Sequence, residues 1–309
     1  MRTAWSELPA RVRSAVESSV DGTVVGAVSQ AHGFSPGSAD RIVTSTGHRA
    51  FVKAIGRDRN PRAFDLHCRE LVIMASMPAG VAAPRLIGSY LDDDWVALVV
   101  DDIEGRHPRH GAEGSDVTAV LDSIARLPAV RGTHLRMLPD ARVELGDDAG
   151  AWSTIVSDGA TAALPGWVAA NLERLDAVAQ DAAAAVAGDR LVHLDCRADN
   201  IIVDASGEAW LVDWPWAAVG ASWFDGVTYL LDSRLRGEGV DTELHLREHA
   251  LFDGVPASSI DAVLSAITGM FFDKARQPAP ANMPTIREFQ RREGLAGADW
   301  LRERWAALR

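Results

Sequence analysis

The chain has 309 residues, 47% of them hydrophobic, and sets 43 acidic against 31 basic residues for a formal net charge of −12. That is enough apolar material for a large core split over two subdomains, and the negative balance argues against nucleic acid as a partner, because a phosphate backbone demands a basic face. The apolar runs are too short for a membrane span, the first residues lack a signal-peptide core, and the two cysteines, Cys68 and Cys196, read as free thiols, so a cytoplasmic protein is expected.

In chain order, residues 6–20 are expected as a helix with Ser6 as N-cap and Leu8, Val12 and Val16 on one face. Strands at 24–28 and 40–44 flank a loop over 33–39, and a third strand at 50–55 follows the turn Thr46-Gly47-His48. A hairpin tip carrying Ser35 and Gly37 can lay backbone N–H groups over phosphates, although it lacks a Gly-x-Gly-x-x-Gly pattern. Lys53, in the third strand, is one of only two lysines in a chain that otherwise writes its cations as arginine, the other being Lys274. Its alkyl stem can follow a partly buried strand and deliver a compact ammonium to phosphates.

A helix over 61–77 is expected next, with Glu70 on its flank, nearer the helix centre than Asp65 and with the longer side chain. Strands at 85–90 and 95–100 enclose an acidic turn, and residues 100–105 leave the sheet. Helical periodicity returns at 113–127, 167–186, 222–236, 243–252, 258–275 and 285–308, while 131–150 is the least regular stretch and is expected to be a surface insertion.

The most specific signal runs from His193 through Asp195 and Arg197 to Asn200, enters the strand Ile201-Ile202-Val203, turns through 204–208, and returns by Trp210-Leu211-Val212 to Asp213. Such a hairpin would set Asn200 and Asp213 side by side as hard oxygen ligands suited to Mg²⁺. Asp195, five residues before Asn200, could then take a proton from a substrate hydroxyl.

His-x-Asp-x-x-x-x-Asn followed by an Asp at the end of a hairpin resembles the catalytic loop and metal site of protein-kinase-like enzymes, and most resembles the aminoglycoside phosphotransferase branch. Here the metal Asp is followed by Trp214-Pro215-Trp216 rather than Phe-Gly. The resemblance implies an α+β protein-kinase-like fold, with an antiparallel sheet lobe over 1–102 and a mainly helical lobe over 103–309.

It further implies ATP or GTP with Mg²⁺ as cofactors, Lys53 paired with Glu70, Ser35 and Gly37 over the phosphates, and main chain near Val100 and Asp102 reading the base. Asp195 would be the base, Arg197 would stabilise the moving phosphoryl group or pair with Asp199, and His193 would brace the loop, with support from Asp225. The acceptor would be a hydroxyl of an antibiotic, amino sugar or related metabolite, met by Asp199, Trp214, Trp216, Asp273 and Arg276, in a monomer or homodimer.

Two other readings compete. His245-x-x-Glu248-His249 fits an inverted zinc-protease pattern and would make the chain a metallohydrolase. A kinase-shaped binding protein without catalysis is the other, but such a protein would be expected to lack one of Lys53, Asp195, Asn200 or Asp213, and all four are present.

Overall fold

The computed structural model describes residues 3–30, 37–111, 115–130, 134–236, 239–280 and 283–307. Contacts divide the chain into two compact units, one of residues 1–107, 133–135 and 199–216 and the other of residues 108–132, 136–198 and 217–309, against the 1–102 and 103–309 division expected from sequence.

The first unit begins with a 3₁₀ turn, Trp5–Glu7, and helix α1 at Ala10–Ser19 rather than at Ser6. Pro9 is the reason: the residue before a proline is pushed out of the helical region, and Leu8 is extended at φ −65° and ψ 144°. Strands β1 (Val24–Ser29), β2 (Ser38–Thr44) and β3 (Arg49–Gly56) are followed by helix α2 (Pro61–Ala75), β4 (Leu86–Leu91) and β5 (Trp95–Asp101). The strands form one antiparallel sheet in the order β1-β2-β3-β5-β4. Helix α2 starts where it does because Pro61 suits the first turn and the Asn60 side chain accepts the Ala63 N–H at 3.0 Å.

Alternation along β3 sorts the side chains. Val52 and Ala54 are buried with Val99 and Ala97 of β5 against Leu8, Val12 and Val16, each valine contributing about 1.5–3 kcal/mol. Phe51 and Lys53 therefore project from the other face.

The second unit takes α3 (Val117–Ala125), α4 (Ala141–Ala149), α5 (Ala151–Ser157), α6 (Gly166–Ala170), α7 (Leu172–Ala179), α8 (Ala182–Ala185) and strand β6 (Arg190–Val192). The stretch expected as an irregular insertion thus holds α4, which Asp140 caps by accepting the Arg142 N–H at 2.9 Å. The helix expected over 167–186 is three short ones, interrupted at Asn171 and Gln180.

Hairpin strands β7 (Ile201–Val203) and β8 (Ala209–Leu211) belong to the first unit, and β9 (Ala218–Gly220), which pairs with β6, returns to the second. Then come α9 (Trp223–Arg236), α10 (Thr242–Glu248), α11 (Ala257–Ala275) and α12 (Ile286–Ala307). Helices α11 and α12 pack so closely that a Cβ at Gly297 would collide with the Thr268 hydroxyl, which restricts that position to glycine. Among the described residues, no helix is long and apolar enough to cross a membrane.

Candidate active site

The hairpin places the first pair of site residues. Ile201, Ile202 and Val203 pair with Leu211, Trp210 and Ala209, and Gly207 supplies the positive φ (87°) that closes the turn. The Val212 N–H then donates to the Asn200 carbonyl at 2.9 Å, which brings Asn200 and Asp213 side by side at the open end of one ladder. Asp213 itself is left-handed, with φ 70°. A non-glycine residue held there stores about 1–3 kcal/mol, a pattern associated with functional sites.

Lys53 reaches this hairpin from β3. Its Nζ lies 2.7 and 2.8 Å from the two carboxylate oxygens of Glu70 and donates to Asp213 Oδ1 as well. Glu70 also accepts the Trp214 N–H at 3.2 Å, so one buried carboxylate ties helix, strand and hairpin together. Burial alone would lower the Lys53 ammonium, but Asp213 and Glu70 more than reverse this and raise it, so the proton stays on the lysine. Asp65, the other acid considered for this role, faces the exposed Arg57 instead.

These groups line a pocket of about 340 Å³ within the first unit, the size of a small-molecule site. Ala39, Phe51, Ile202 and Val212 give it apolar walls suited to a flat base, while Lys53, Asn200 and Asp213 gather at its polar end. Val100, Asp102 and Asp199 line it too. The Asp101 and Asp102 carboxylates are engaged by arginines, Asp101 by Arg85 at 2.8 Å and Asp102 by Arg49 at 2.8 Å and Arg41 at 3.2 Å. The Asn200 amide oxygen and the Asp213 carboxylate are hard donors, and with Lys53 beside them they fit a Mg²⁺ that is shared with phosphates. Ser35 lies outside the described residues. Gly37 is buried at the start of β2, where a Cβ would lie 3.1 Å from that of Ile55 and closer still to the Ala54 carbonyl.

In the second unit, the loop after β6 is held by α9. Asp225, fully buried in the first turn of α9, accepts the backbone N–H groups of His193 at 2.6 Å and Leu194 at 2.9 Å. Leu194 is left-handed at φ 61°, so Asp225 fixes the turn that aims the next residue, Asp195. Burial pushes the Asp225 carboxyl up to about 7 against the pull of those two N–H donors. His193 is buried and accepts the Asp195 N–H on Nδ1 at 3.3 Å. Arg197 Nη1 donates to Asp195 Oδ1 at 3.0 Å. Cys196 between them is sealed in the core and its thiol is pushed up by burial, which leaves it inert.

Two sequence expectations require correction, the acceptor contact of Trp214 and the zinc pattern. Trp214 is fully buried and its indole N–H donates to the Leu211 carbonyl at 2.9 Å, so it is core and no acceptor contact. Trp216 faces the Arg69 guanidinium at 5.7 Å. Asp273 and Arg276 form an ionic triad with Asp158 at the end of α11. The zinc pattern fails because α10 ends at Glu248: His249 is extended, its Nδ1 accepts the Leu251 N–H, and Nε2 lies 3.4 Å from Asp122. Among the described residues, no group of three His, Cys, Asp or Glu could hold a metal ion.

Sequence reasoning missed Asp232, whose carboxylate accepts the Ala198 N–H at 2.8 Å, and Phe289 of α12, whose ring lies 5.2 Å from the Arg197 guanidinium carbon.

Residues 34–258 match the model of the phosphotransferase enzyme family, and the chain belongs to that family. No curated protein matches it in sequence. Among solved structures, it is similar to an aminoglycoside phosphotransferase from Alicyclobacillus acidocaldarius subsp. acidocaldarius DSM 446, at 17% identity over 97% of this chain and 98% of that one, with a TM-score of 0.60. It is also similar to a choline kinase from Streptococcus pneumoniae, at 14% identity over 96% and 98% and a TM-score of 0.58. A third is a thermostable mutant of the aminoglycoside phosphotransferase APH(4)-Ia in complex with ADP and hygromycin B, at 12% identity over 94% and 97% and a TM-score of 0.54. The fold is accordingly that of the protein-kinase-like phosphotransferases.

Proposed function

We propose that this chain moves the γ-phosphoryl group of ATP to a hydroxyl of a small molecule, an antibiotic, amino sugar or related metabolite, in the cytoplasm. The observation that carries the proposal is the convergence of Lys53, Glu70, Asn200 and Asp213 on one pocket with an apolar wall. Lys53 takes the α- and β-phosphates, held in place by Glu70, and main chain at 101–103 meets the base. Asn200 and Asp213 would hold Mg²⁺, which would supply charge neutralisation for the phosphates when bound. Asp195 accepts the proton of the acceptor hydroxyl as its oxygen attacks the γ-phosphorus and the bridging oxygen leaves with ADP. Arg197 offsets the negative charge of the moving group.

The relatives' names point to acceptors that carry nitrogen as well as a hydroxyl, namely aminoglycosides and choline. A screen of amino sugars, hydroxylated antibiotics and amino alcohols with Mg·ATP, read by a mass gain of one phosphate, tests the assignment. Calorimetry tests it independently: Asp213→Ala is expected to weaken Mg·ATP binding at least tenfold, and unchanged binding would remove the metal role.

A further inference from the structure

Helix α12 brings to the transfer loop an acid that the nucleotide pocket does not use. Glu293 sits one turn beyond Phe289 and is only 2% exposed. Its Oε1 has no hydrogen-bond partner among the described residues. A buried carboxyl left like this is costly, and natural structures rarely tolerate one without a reason. The flanking Arg291 and Arg292 are exposed, so the helix turns this acid alone into the interior.

The charged groups that face it are Asp195 and Arg197 of the loop and Asp232 and Arg236 of α9. Both cations are already engaged. Arg197 donates to Asp195 at 3.0 Å, and Arg236 donates to Asp232 at 2.9 and 3.3 Å while Asp232 also holds the Ala198 N–H. An ionised Glu293 would add a further negative charge to this buried cluster. The Phe289 ring, one turn before Glu293, lies 5.2 Å from the Arg197 guanidinium carbon.

We propose that Glu293 is a positioning residue for phosphoryl transfer, setting where Arg197 carries its charge: uncharged, it leaves Arg197 on Asp195, and ionised, it competes for the guanidinium and draws it towards α12. The proposal rests on the transfer roles assigned above to Asp195 and Arg197. Burial, reinforced by Asp232, pushes the Glu293 carboxyl up to about 8 against the pull of Arg197 and Arg236. The uncharged form therefore prevails at neutral pH, and the competing form takes over as the pH passes through about 8.

The test uses the full chain and phosphate release from Mg·ATP with water as acceptor, followed from pH 6 to pH 9.5 in the wild type, Glu293→Gln and Asp195→Asn. Wild-type kcat is expected to fall roughly tenfold between pH 7 and pH 9, as a single titration near 8 requires, while the Gln variant changes less than about twofold over that interval. Thermal melting provides a readout that needs no activity. The folded-state value lies above the ordinary glutamate value of 4.5, so the stabilisation is present below pH 4.5 and is lost as the pH rises through about 8. The Gln variant should therefore gain melting temperature on the wild type between pH 5 and pH 8.

Equal pH dependence of melting in the two proteins would overturn the proposal, and so would an alkaline fall in kcat that survives in the Gln variant. If Asp195→Asn releases phosphate as fast as the wild type, or the wild type releases none, the transfer assignment itself fails. If Asp195→Asn is inactive and the Gln variant keeps the alkaline fall, only the role of Glu293 fails.

Discussion

Replacing Asp225 with alanine removes the acceptor for two buried N–H groups, those of His193 at 2.6 Å and Leu194 at 2.9 Å. Each donor left without a partner costs about 1–3 kcal/mol, so the variant should lose about 2–6 kcal/mol. Leu194 adds to this, because its left-handed backbone is held by one of the two lost bonds. Asp225→Asn retains one acceptor oxygen but turns an NH₂ towards the second donor, and should lose about half as much.

The sign of the pH dependence follows from the raised carboxyl of Asp225. The folded-state value of about 7 lies above the ordinary 3.8, so its stabilisation is complete below pH 3.8 and is lost as the pH climbs through 7. At about 1.36 kcal/mol per pH unit the whole interval is worth about 4 kcal/mol. Urea denaturation followed by tryptophan fluorescence at pH 5 and pH 8 measures both effects. The deficit of the Asn variant should shrink from pH 5 to pH 8. An alanine variant within about 0.5 kcal/mol of wild type, or an Asn variant that keeps the wild-type pH slope, would refute the reasoning.

Other outcomes follow from the nucleotide pocket. Lys53→Met leaves Glu70 and Asp213 facing each other without their cation, and should destabilise the chain by about 3–5 kcal/mol, while Glu70→Leu should lose less because Asp213 still partners the lysine; a denaturant midpoint that moves more for Glu70→Leu would contradict this. Trp214→Ala should cost about 3–5 kcal/mol as a core truncation and leave acceptor KM unchanged in the fraction that folds; a raised KM at wild-type stability would return Trp214 to the acceptor site.

The sheet was legible because each strand is short, rich in β-formers and bounded by turn residues, and the hairpin 201–211 declared itself through Gly207. Lys53 stood out by scarcity and Glu70 by its place on an amphipathic helix, and their contact needs only the register of β3 against α2. The start of α1 was misjudged because the restriction that Pro9 places on Leu8 outweighs the capping propensity of Ser6.

Tryptophan chemistry suits a sugar face and a core equally, and burial alone separates Trp214 from an acceptor contact. Glu293 was hidden by the charged run Arg291-Arg292-Glu293, which reads as a solvated face. The spacing of Gly294, Gly297 and Leu301 could have revealed that this side of α12 turns inward.

The central claim is that Asp195 is the base of a phosphoryl transfer supported by Lys53, Asn200 and Asp213. Its most direct test is the rate of phosphate transfer from Mg·ATP to the acceptor found by mass screening, compared between the wild type and Asp195→Asn. Turnover is expected to fall by on the order of 10²–10⁴, with Mg·ATP affinity within about threefold of wild type, as expected for loss of a proton-transfer group alone. Wild-type turnover in the Asn variant would contradict the account.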